Sequence, residues 1–321
     1  MELMSIISKM ITFIALMLVG YIGARRKLLD NAFARALSQL VMNLFLTCTV
    51  INSVISERPE LTGGQLVHVM LILTLSMAVV YVGAFVFTRL FRVKGDNAPV
   101  FELLACVVNS MFIGLPLIQS LYGTTAVLYC ALSCIPFNVL LYSYGVWRLK
   151  SGKSVGGGGI RVRDVLSIPL IATLVALVIF LFDIRLPMIL TDLISSTSAA
   201  TMPLSMIVIG ATLGGIPLTE AFREKWVYLL CALRLVILPA LTWLVLSPLT
   251  QDALLLKTCV LLAACPSGVV VTVLSLQYDY DASYSSKGIL VGTMLSMITL
   301  PIWAIIRELS VSSAGRMATK G

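Results

Sequence analysis

Two long apolar segments, one in each half of the chain, carry helix-breaking residues near their centres. The first reads CVVNSMFIGLPL over Cys106–Leu117, and the second reads AACPSGVVVTVLS over Ala263–Ser275. A proline removes a backbone donor and clashes with the preceding turn, so a helix breaks there. Within a bilayer, backbone groups released in this way are tolerated only inside protein or beside a water-filled cavity. The two segments therefore predict two discontinuous helices at membrane depth.

The composition is that of a membrane protein. Charged residues make up 12% of the 321 residues and hydrophobic residues 59%, whereas soluble domains have about 25% charged residues. The seven cysteines form no CxxC pair and lie mostly in apolar segments, which is typical of small core residues rather than of a disulfide framework. The net charge of +8 comes from Lys and Arg beside the apolar segments. We interpret it as a membrane orientation signal and expect no nucleic-acid partner.

Ten apolar stretches approach the roughly 20 residues that a membrane helix needs. They predict an all-α polytopic membrane protein with ten transmembrane helices, five on each side of a basic, glycine-rich linker at 148–163. We expect a first repeat at 1–147, a second repeat at 164–308 and a C-terminal tail at 309–321. The predicted spans are Met4–Ala24, Ala34–Ile55, Gln65–Phe91, Ala98–Leu121, Thr125–Trp147, Val165–Phe182, Ile189–Gly215, Lys225–Leu249, Ala253–Gln277 and Ser283–Ile306.

The distribution of basic residues predicts the orientation of these spans. Loops after the odd-numbered spans hold about twice as many Lys and Arg as the opposite loops, which places them and the linker in the cytoplasm. Both termini would then lie outside a multi-pass protein of the cell inner membrane. The first span ends in Arg25-Arg26-Lys27 rather than in a small-residue cleavage site, so we expect no cleaved signal peptide.

Because each predicted half has five spans, two similar halves would have opposite orientations in the membrane. The broken span is the fourth of its half in both cases, an arrangement typical of the substrate site of inverted-repeat transporters. The second half-helix of each break would aim its N-terminus, with free N–H groups and partial positive charge, at the membrane centre. This predicts an anion site; the alternative is two purely structural kinks. The candidate contacts are Asn109, Ser110, Gly114, Pro116, Asn138, Pro266, Ser267, Gly268 and Thr272.

Few ionisable residues lie within the predicted spans. Arg234, in span eight, is either a charge that attracts the anion or a side chain that reaches back to the interface. Glu102, early in span four, is either a proton-coupling carboxylate or an interfacial charge. The single histidine, His68, has no second histidine nearby, so we expect no metal site, and we expect no cofactor.

These motifs resemble those of the auxin efflux carrier family, which includes the PIN-like transporters and bacterial malate or malonate permeases. Asn109–Leu117 resembles the family pattern N-x-G-F-x-G-x-P-L, and Ala264–Val269 resembles A-x-P-S-A-V. Three residues depart from the family pattern: Met111 replaces Gly, Thr47 replaces Pro, and Val270 replaces Asn, Ser or Thr. The valine makes the second broken segment less polar than the first.

The resemblance implies two inverted five-helix repeats whose fourth and ninth spans are crossed broken helices. It implies a scaffold domain of spans one, two, six and seven, which forms a homodimer, and a transport domain of the other spans that moves as an elevator. We expect secondary active transport of a small organic anion, a carboxylate, with possible proton or sodium coupling.

Three alternatives to this function stay open. They are a sodium-coupled carrier of the bile-acid-transporter type, a membrane sensor that binds a ligand without moving it, and a membrane-embedded enzyme. Enzymatic activity is not expected, because the sequence has no HExxH or GxSxG motif and no cluster of carboxylates or histidines.

Overall fold

The computed structural model describes residues 2–29, 31–56, 62–152, 168–214 and 218–318. Most of these residues are helical, and no β-strand occurs among them apart from one isolated bridge. The predicted linker at 148–163 lies largely outside the described residues. The first half contains α1 (Glu2–Arg25), α2 (Asn31–Leu40), α3 (Leu46–Ile55), α4 (Gly63–Leu90), α5 (Ala98–Cys106), α6 (Leu115–Tyr122), α7 (Thr124–Leu132), α8 (Cys134–Leu140) and α9 (Val146–Gly152).

The second half has a similar run of long and interrupted helices. It contains α10 (Ile168–Leu181), α11 (Met188–Ala199), α12 (Thr201–Gly214), α13 (Leu218–Ala221), α14 (Lys225–Ala232), α15 (Leu238–Leu246), α16 (Ala253–Ala264), α17 (Val270–Gln277) and α18 (Ala282–Ala318). Four π-helical turns join or precede these helices, at Val41–Phe45, Ser110–Gly114, Leu141–Gly145 and Leu233–Ile237.

Within the described residues, seven helical stretches are long and apolar enough to cross a membrane. They are Ile7–Arg25, Ala32–Ile55, Gly63–Leu90, Thr124–Ser151, Met188–Gly214, Lys225–Leu246 and Ala282–Ile306. Three further apolar helices are shorter, at Ser110–Tyr122, Ile168–Leu181 and Ala253–Ala264. The prediction of an all-α, multi-pass membrane protein is therefore confirmed. The count of ten spans stays a prediction, because three of the apolar helices fall short of a full crossing.

Side-chain caps fix two helix starts on the same side of the molecule. Thr62 and Gln65 form a reciprocal capping box at the start of α4, with the Thr62 N–H donating to Gln65 Oε1 at 2.8 Å. Asp252 caps α16 by accepting from the Leu255 N–H at 2.9 Å. Asp252 also accepts a hydrogen bond from the Tyr129 hydroxyl at 3.0 Å, so the start of α16 is tied to α7.

The first and second halves of the chain meet most closely where α1 packs against α12. A Cβ atom added at Gly210 would lie 1.9 Å from the Met17 carbonyl oxygen, and one at Gly20 would lie 2.1 Å from the Ile207 carbonyl oxygen. The two backbones are therefore in direct contact. Gly210 and Gly214 are spaced by four residues, which is the pattern of closely packed membrane helices.

A buried cluster of hydroxyl groups joins α3 to α11 and α12. The Thr49 and Thr201 hydroxyls lie 2.6 Å apart, and Thr201 donates to the Phe45 carbonyl at 3.0 Å. Ser198 donates to Thr49 at 3.3 Å. Helix α10 also packs on α3. We call the resulting packed group bundle one; it consists of helices α1, α2, α3, α10, α11 and α12. Helices α4 to α9 and α14 to α18 form bundle two.

The contact between α1 and α12 gives a first testable prediction. Gly210→Ala should lower the free energy of unfolding by about 1–3 kcal/mol or more, because a methyl group has to displace backbone rather than a mobile side chain. Thermal unfolding of the purified protein in detergent measures the effect. Gly292→Ala is the matched control, since a Cβ at that buried helical glycine meets nothing within 4 Å. Equal changes in the two variants would contradict the backbone contact.

Candidate functional site

The two broken segments pair with each other as a short antiparallel bridge. Val108 pairs with Ser267. The Asn109 N–H donates to the Pro266 carbonyl at 2.8 Å, and the Gly268 N–H donates to the Val107 carbonyl at 2.9 Å. Each break thus satisfies backbone groups that the other releases. We call residues 107–109 and 266–268 the crossover.

Small side chains allow the broken segments to approach this closely. A Cβ at Gly268 would lie 3.0 Å from the Val108 carbonyl oxygen, and a Cβ at Gly114 would lie 3.0 Å from Leu262 Cδ2. The Ser267 hydroxyl donates to the Leu104 carbonyl at 2.6 Å. Gly114, Ser267 and Gly268 therefore shape the crossover, and the Ser267 hydroxyl already has a partner within the protein.

Four helix ends meet around the crossover. Helices α5 and α16 end there, at Cys106 and Ala264, and α17 begins there at Val270. The π-helical turn Ser110–Gly114 leads into α6, which has Pro116 in its first turn. A helix start carries partial positive charge and a helix end carries partial negative charge. Positive electrostatic potential from helix starts and negative electrostatic potential from helix ends therefore meet at the crossover, in the protein interior.

A cavity of about 980 Å³ lies against the crossover. Its walls come from both bundles: α2, α12 and Pro169 of bundle one, and α8, α17 and α18 of bundle two. Most of the wall is apolar, as in typical sites for organic ligands. Polar side chains on the wall include Arg35, Ser38, Gln39, Asn109, Ser110, Asn138, Thr212, Thr272, Ser286 and Thr293.

The charge of the cavity has one sign. Among the described residues that line it, Arg35 is the one with a charged side chain, and no carboxylate lies on the wall. Arg35 is exposed to solvent. A cleft with charge of a single sign concentrates ligands of the opposite sign, so the cavity favours anions.

The structure brings five of the predicted contact residues to the cavity wall: Asn109, Ser110, Asn138, Gly268 and Thr272. No hydrogen bond of the Asn109 side chain occurs within the described part of the chain, so its amide faces the cavity with unused donors and acceptor. Asn138 donates from Nδ2 to the Cys134 carbonyl at 2.8 Å. Thr272 accepts from the Ser285 hydroxyl at 3.1 Å. Asn109 therefore has the most capacity for a ligand.

Other predicted residues lie behind the wall. Gly114, Pro116, Pro266 and Ser267 are not among the residues that line the cavity and are placed to support the crossover. Arg234 is buried, with 1% of its surface exposed, and is also absent from the wall. Its side chain does not reach the interface in this structure.

Glu102 forms a buried ion pair. Its carboxylate is fully buried, accepts from Arg148 Nε at 3.0 Å and also accepts from the Tyr144 hydroxyl. Helix α9 places Arg148 over the carboxylate, so Glu102 is a buried, paired charge, and its two predicted roles, proton coupling and interfacial charge, stay predictions. The ion pair ties the middle of α5 to α9.

Sequence reasoning missed the contribution of bundle one to the cavity. Arg35, Ser38, Gln39 and Met42 line it from α2 and the turn that follows, and Thr212 lines it from α12. A usable signal was present, because positions 35, 38, 39 and 42 share one face at helical spacing. These positions lie in the first half of predicted span two, away from the two broken segments.

Comparisons with known proteins match almost the whole chain. The sequence profile of a family described as "Membrane transport protein" matches residues 5–155 and 160–304, which include both halves of the crossover. An uncharacterized transporter of Methanothermobacter thermautotrophicus is 26% identical over 299 residues, covering 92% of this chain and 96% of the relative. An uncharacterized transporter of Methanocaldococcus jannaschii is 22% identical over 303 residues, covering 91% and 95%.

The pairing of Val108 with Ser267 gives a second prediction. The flanking residues exchange the two backbone bonds, so Val108 and Ser267 face each other with Cα atoms about 4.5 Å apart, within the range that a disulfide can bridge. In a parent with the seven native cysteines replaced by alanine, Val108→Cys with Ser267→Cys should cross-link under mild oxidation. A protease site placed at 155–158 reports it, because the cleaved halves stay joined on a non-reducing gel.

The matched control for cross-linking is Val107→Cys with Ser267→Cys. Side chains alternate across an extended segment, so residue 107 points away from residue 267 and should cross-link much more slowly. Equal cross-linking of the two pairs would contradict the register of the crossover.

Proposed function

Because the chain belongs to the auxin efflux carrier family of membrane transport proteins, we propose that it is a secondary active transporter of a small organic anion. One observation carries the proposal. The crossover lies against a cavity of about 980 Å³ in which the charged lining residue is a cation and Asn109 presents an unused amide. The inferred substrate is a carboxylate, since its two oxygens accept several hydrogen bonds at once.

Recognition of the carboxylate would combine a side chain with backbone dipoles. Asn109 would donate from Nδ2 to one oxygen. Val269 and Val270, at the start of α17, line the same cavity. Their N–H groups make no hydrogen bond within the described residues, whereas those of Val271 and Thr272 already donate to the Gly268 and Val269 carbonyls. Partial positive charge at this helix start favours an anion. The apolar side chains of Met111, Phe112 and Phe137 would contact the rest of the substrate.

Transport would follow from movement of bundle two along bundle one. The cavity lies between the two bundles, and its exposed Arg35 is on the side that the basic residues predict to be cytoplasmic. On the opposite side the bundles are joined by the Gln119–Ser198 hydrogen bond at 3.3 Å and by Lys9, which donates to the Ser120 carbonyl. We infer an inward-open state of an elevator built from ten spans in two inverted repeats, with bundle one as the scaffold of a homodimer.

Two other functions make different predictions. A sodium-coupled carrier of the bile-acid-transporter type would need oxygen ligands for the cation; the described cavity wall offers amide and hydroxyl oxygens but no carboxylate to balance the cation's charge. A sensor would bind its ligand without moving it. Thermal unfolding with dicarboxylates, monocarboxylates and aromatic acids identifies binders, because a bound ligand stabilises the folded protein.

Uptake of the stabilising acids into proteoliposomes then separates the functions. Uptake of an acid, measured with and without a sodium or proton gradient, supports the proposed carrier and identifies its coupling. Binding without uptake would establish a sensor instead. Absence of both binding and uptake for all three classes of acid would contradict an organic-anion carrier.

Asn109→Ala should abolish uptake and weaken binding of the stabilising acid while leaving the thermal stability of the free protein close to wild type. A hydrogen bond to a charged group contributes about 1.5–3 kcal/mol, which corresponds to a loss of about tenfold to a hundredfold in affinity. Asn97→Ala is the matched control, since Asn97 precedes α5 outside the cavity and makes no side-chain capping bond. Wild-type uptake by the Asn109 variant would refute its role.

Arg35→Gln should raise the KM for uptake several-fold with little change in kcat, because Arg35 attracts the anion before it reaches the crossover. The difference from wild type should shrink as salt is added, since exposed charges are screened over about 10 Å at 0.1 M. Arg26→Gln removes an exposed charge near the same end of α2 but outside the cavity wall. An equal effect of the two substitutions would show that general surface charge, rather than the position of Arg35, governs the KM.

A further inference from the structure

Arg234 is a buried cation with no counter-ion in the described part of the chain. Its side chain is 1% exposed, and none of the guanidinium nitrogens Nε, Nη1 and Nη2 has a hydrogen-bond partner there. The ionisable groups that interact with it electrostatically are Tyr81, Cys106 and Cys265, whose side chains are ordinarily neutral at pH 7. A buried ion without compensation is strongly unfavourable. Another source of negative potential is therefore needed near Arg234.

The position of Arg234 is fixed by the local fold. It lies in the π-helical turn Leu233–Ile237, a type of turn often found at functional sites. Pro239 has no N–H to offer the Leu235 carbonyl four residues earlier. The Trp303 indole N–H donates to that carbonyl at 2.8 Å instead. Helix α18 thus holds the turn that carries Arg234.

The same turn packs against α5 and α16. Cys106 is the last residue of α5, and Cys265 directly follows α16, so Arg234 lies beside the ends of both helices. The last carbonyl groups of a helix lack partners within it and carry partial negative charge. Two such ends held together inside the protein repel each other unless a cation lies near them. The cavity, by contrast, is lined by the start of α17 and not by Arg234.

We propose that Arg234 is a positioning residue whose guanidinium is the shared counter-charge for the C-terminal ends of α5 and α16. By reducing the repulsion between these ends, it keeps residues 107–109 and 266–268 paired. The two roles predicted for Arg234 from sequence, attraction of the transported anion and extension to the interface, stay predictions; its burial and its absence from the cavity wall favour the positioning role. The inference concerns the crossover itself and does not depend on which substrate the cavity takes.

The cross-linking pair at positions 108 and 267 tests this role directly. In the cysteine-replaced parent, Arg234→Gln should slow cross-linking about tenfold, the size expected when two helix ends lose an ordinary charge interaction. Arg234→Lys keeps the charge and should cross-link at a rate close to the parent. Arg185→Gln, which removes an exposed charge between α10 and α11, is the matched control and should match the parent.

Thermal unfolding of each variant separates a positioning role from a general structural one. A Gln variant with lowered Tm but parental cross-linking would overturn the proposal, and so would a Lys variant as slow as the Gln variant. If the Gln variant does not fold, folding and parental cross-linking of the Lys variant support the need for charge. Slower cross-linking of the parent when chloride is replaced by gluconate would show that Arg234 holds a small anion, which also overturns the proposal. Failure of every acid in the uptake assay leaves this test unchanged.

Discussion

The fold depends on two backbone hydrogen bonds at the crossover. The bonds from Asn109 to Pro266 and from Gly268 to Val107 let two helices stop in the protein interior, where an unpaired N–H or C=O group would be costly. They also determine which helix ends face the cavity and which face Arg234. This pairing separates positive from negative electrostatic potential. The start of α17, which is positive, lines the cavity, and the negative ends of α5 and α16 lie beside the buried Arg234.

The broken segments could be located from sequence because Pro116, Pro266 and the glycines act locally on the backbone. The resemblance to the carrier family implies that the two broken helices cross, but the backbone bonds that pair them are seen only in the structure. The roles of individual side chains were less predictable. Ser267 is polar and lies at the break, yet its hydroxyl is used by the Leu104 carbonyl. A hydroxyl that lies between two acceptors bonds to one of them because of differences in distance of a few tenths of an ångström. These tertiary distances cannot be read from the spacing of residues along the sequence.

The cavity is chemically uneven for a related reason. At the break itself the first segment contributes Asn109 and Ser110, whereas the second contributes Gly268 and the valines at 269 and 270, and its polar Thr272 follows in the first turn of α17. Polar groups from α2, α12 and α18 add to the first set, and their contribution depends on how the bundles pack. The helical spacing of residues 35, 38, 39 and 42 places Arg35 on a shared face of α2, but local spacing does not indicate that the distant crossover borders the same cavity.

The glycine contact between α1 and α12 has a consequence for motion within the protein. Where one backbone touches another, repulsion rises steeply with displacement, so these two helices have a single relative position. The surface where they meet bundle two is different: Met17, Met206 and Met297 surround a small apolar void there, beside Leu117 and Leu300. Unbranched thioether side chains change rotamer readily and refill irregular gaps. The interface between α1 and α12 thus resists sliding, whereas the interface of these helices with bundle two can be repacked repeatedly. Repacking of this second interface limits the rate of any large rearrangement.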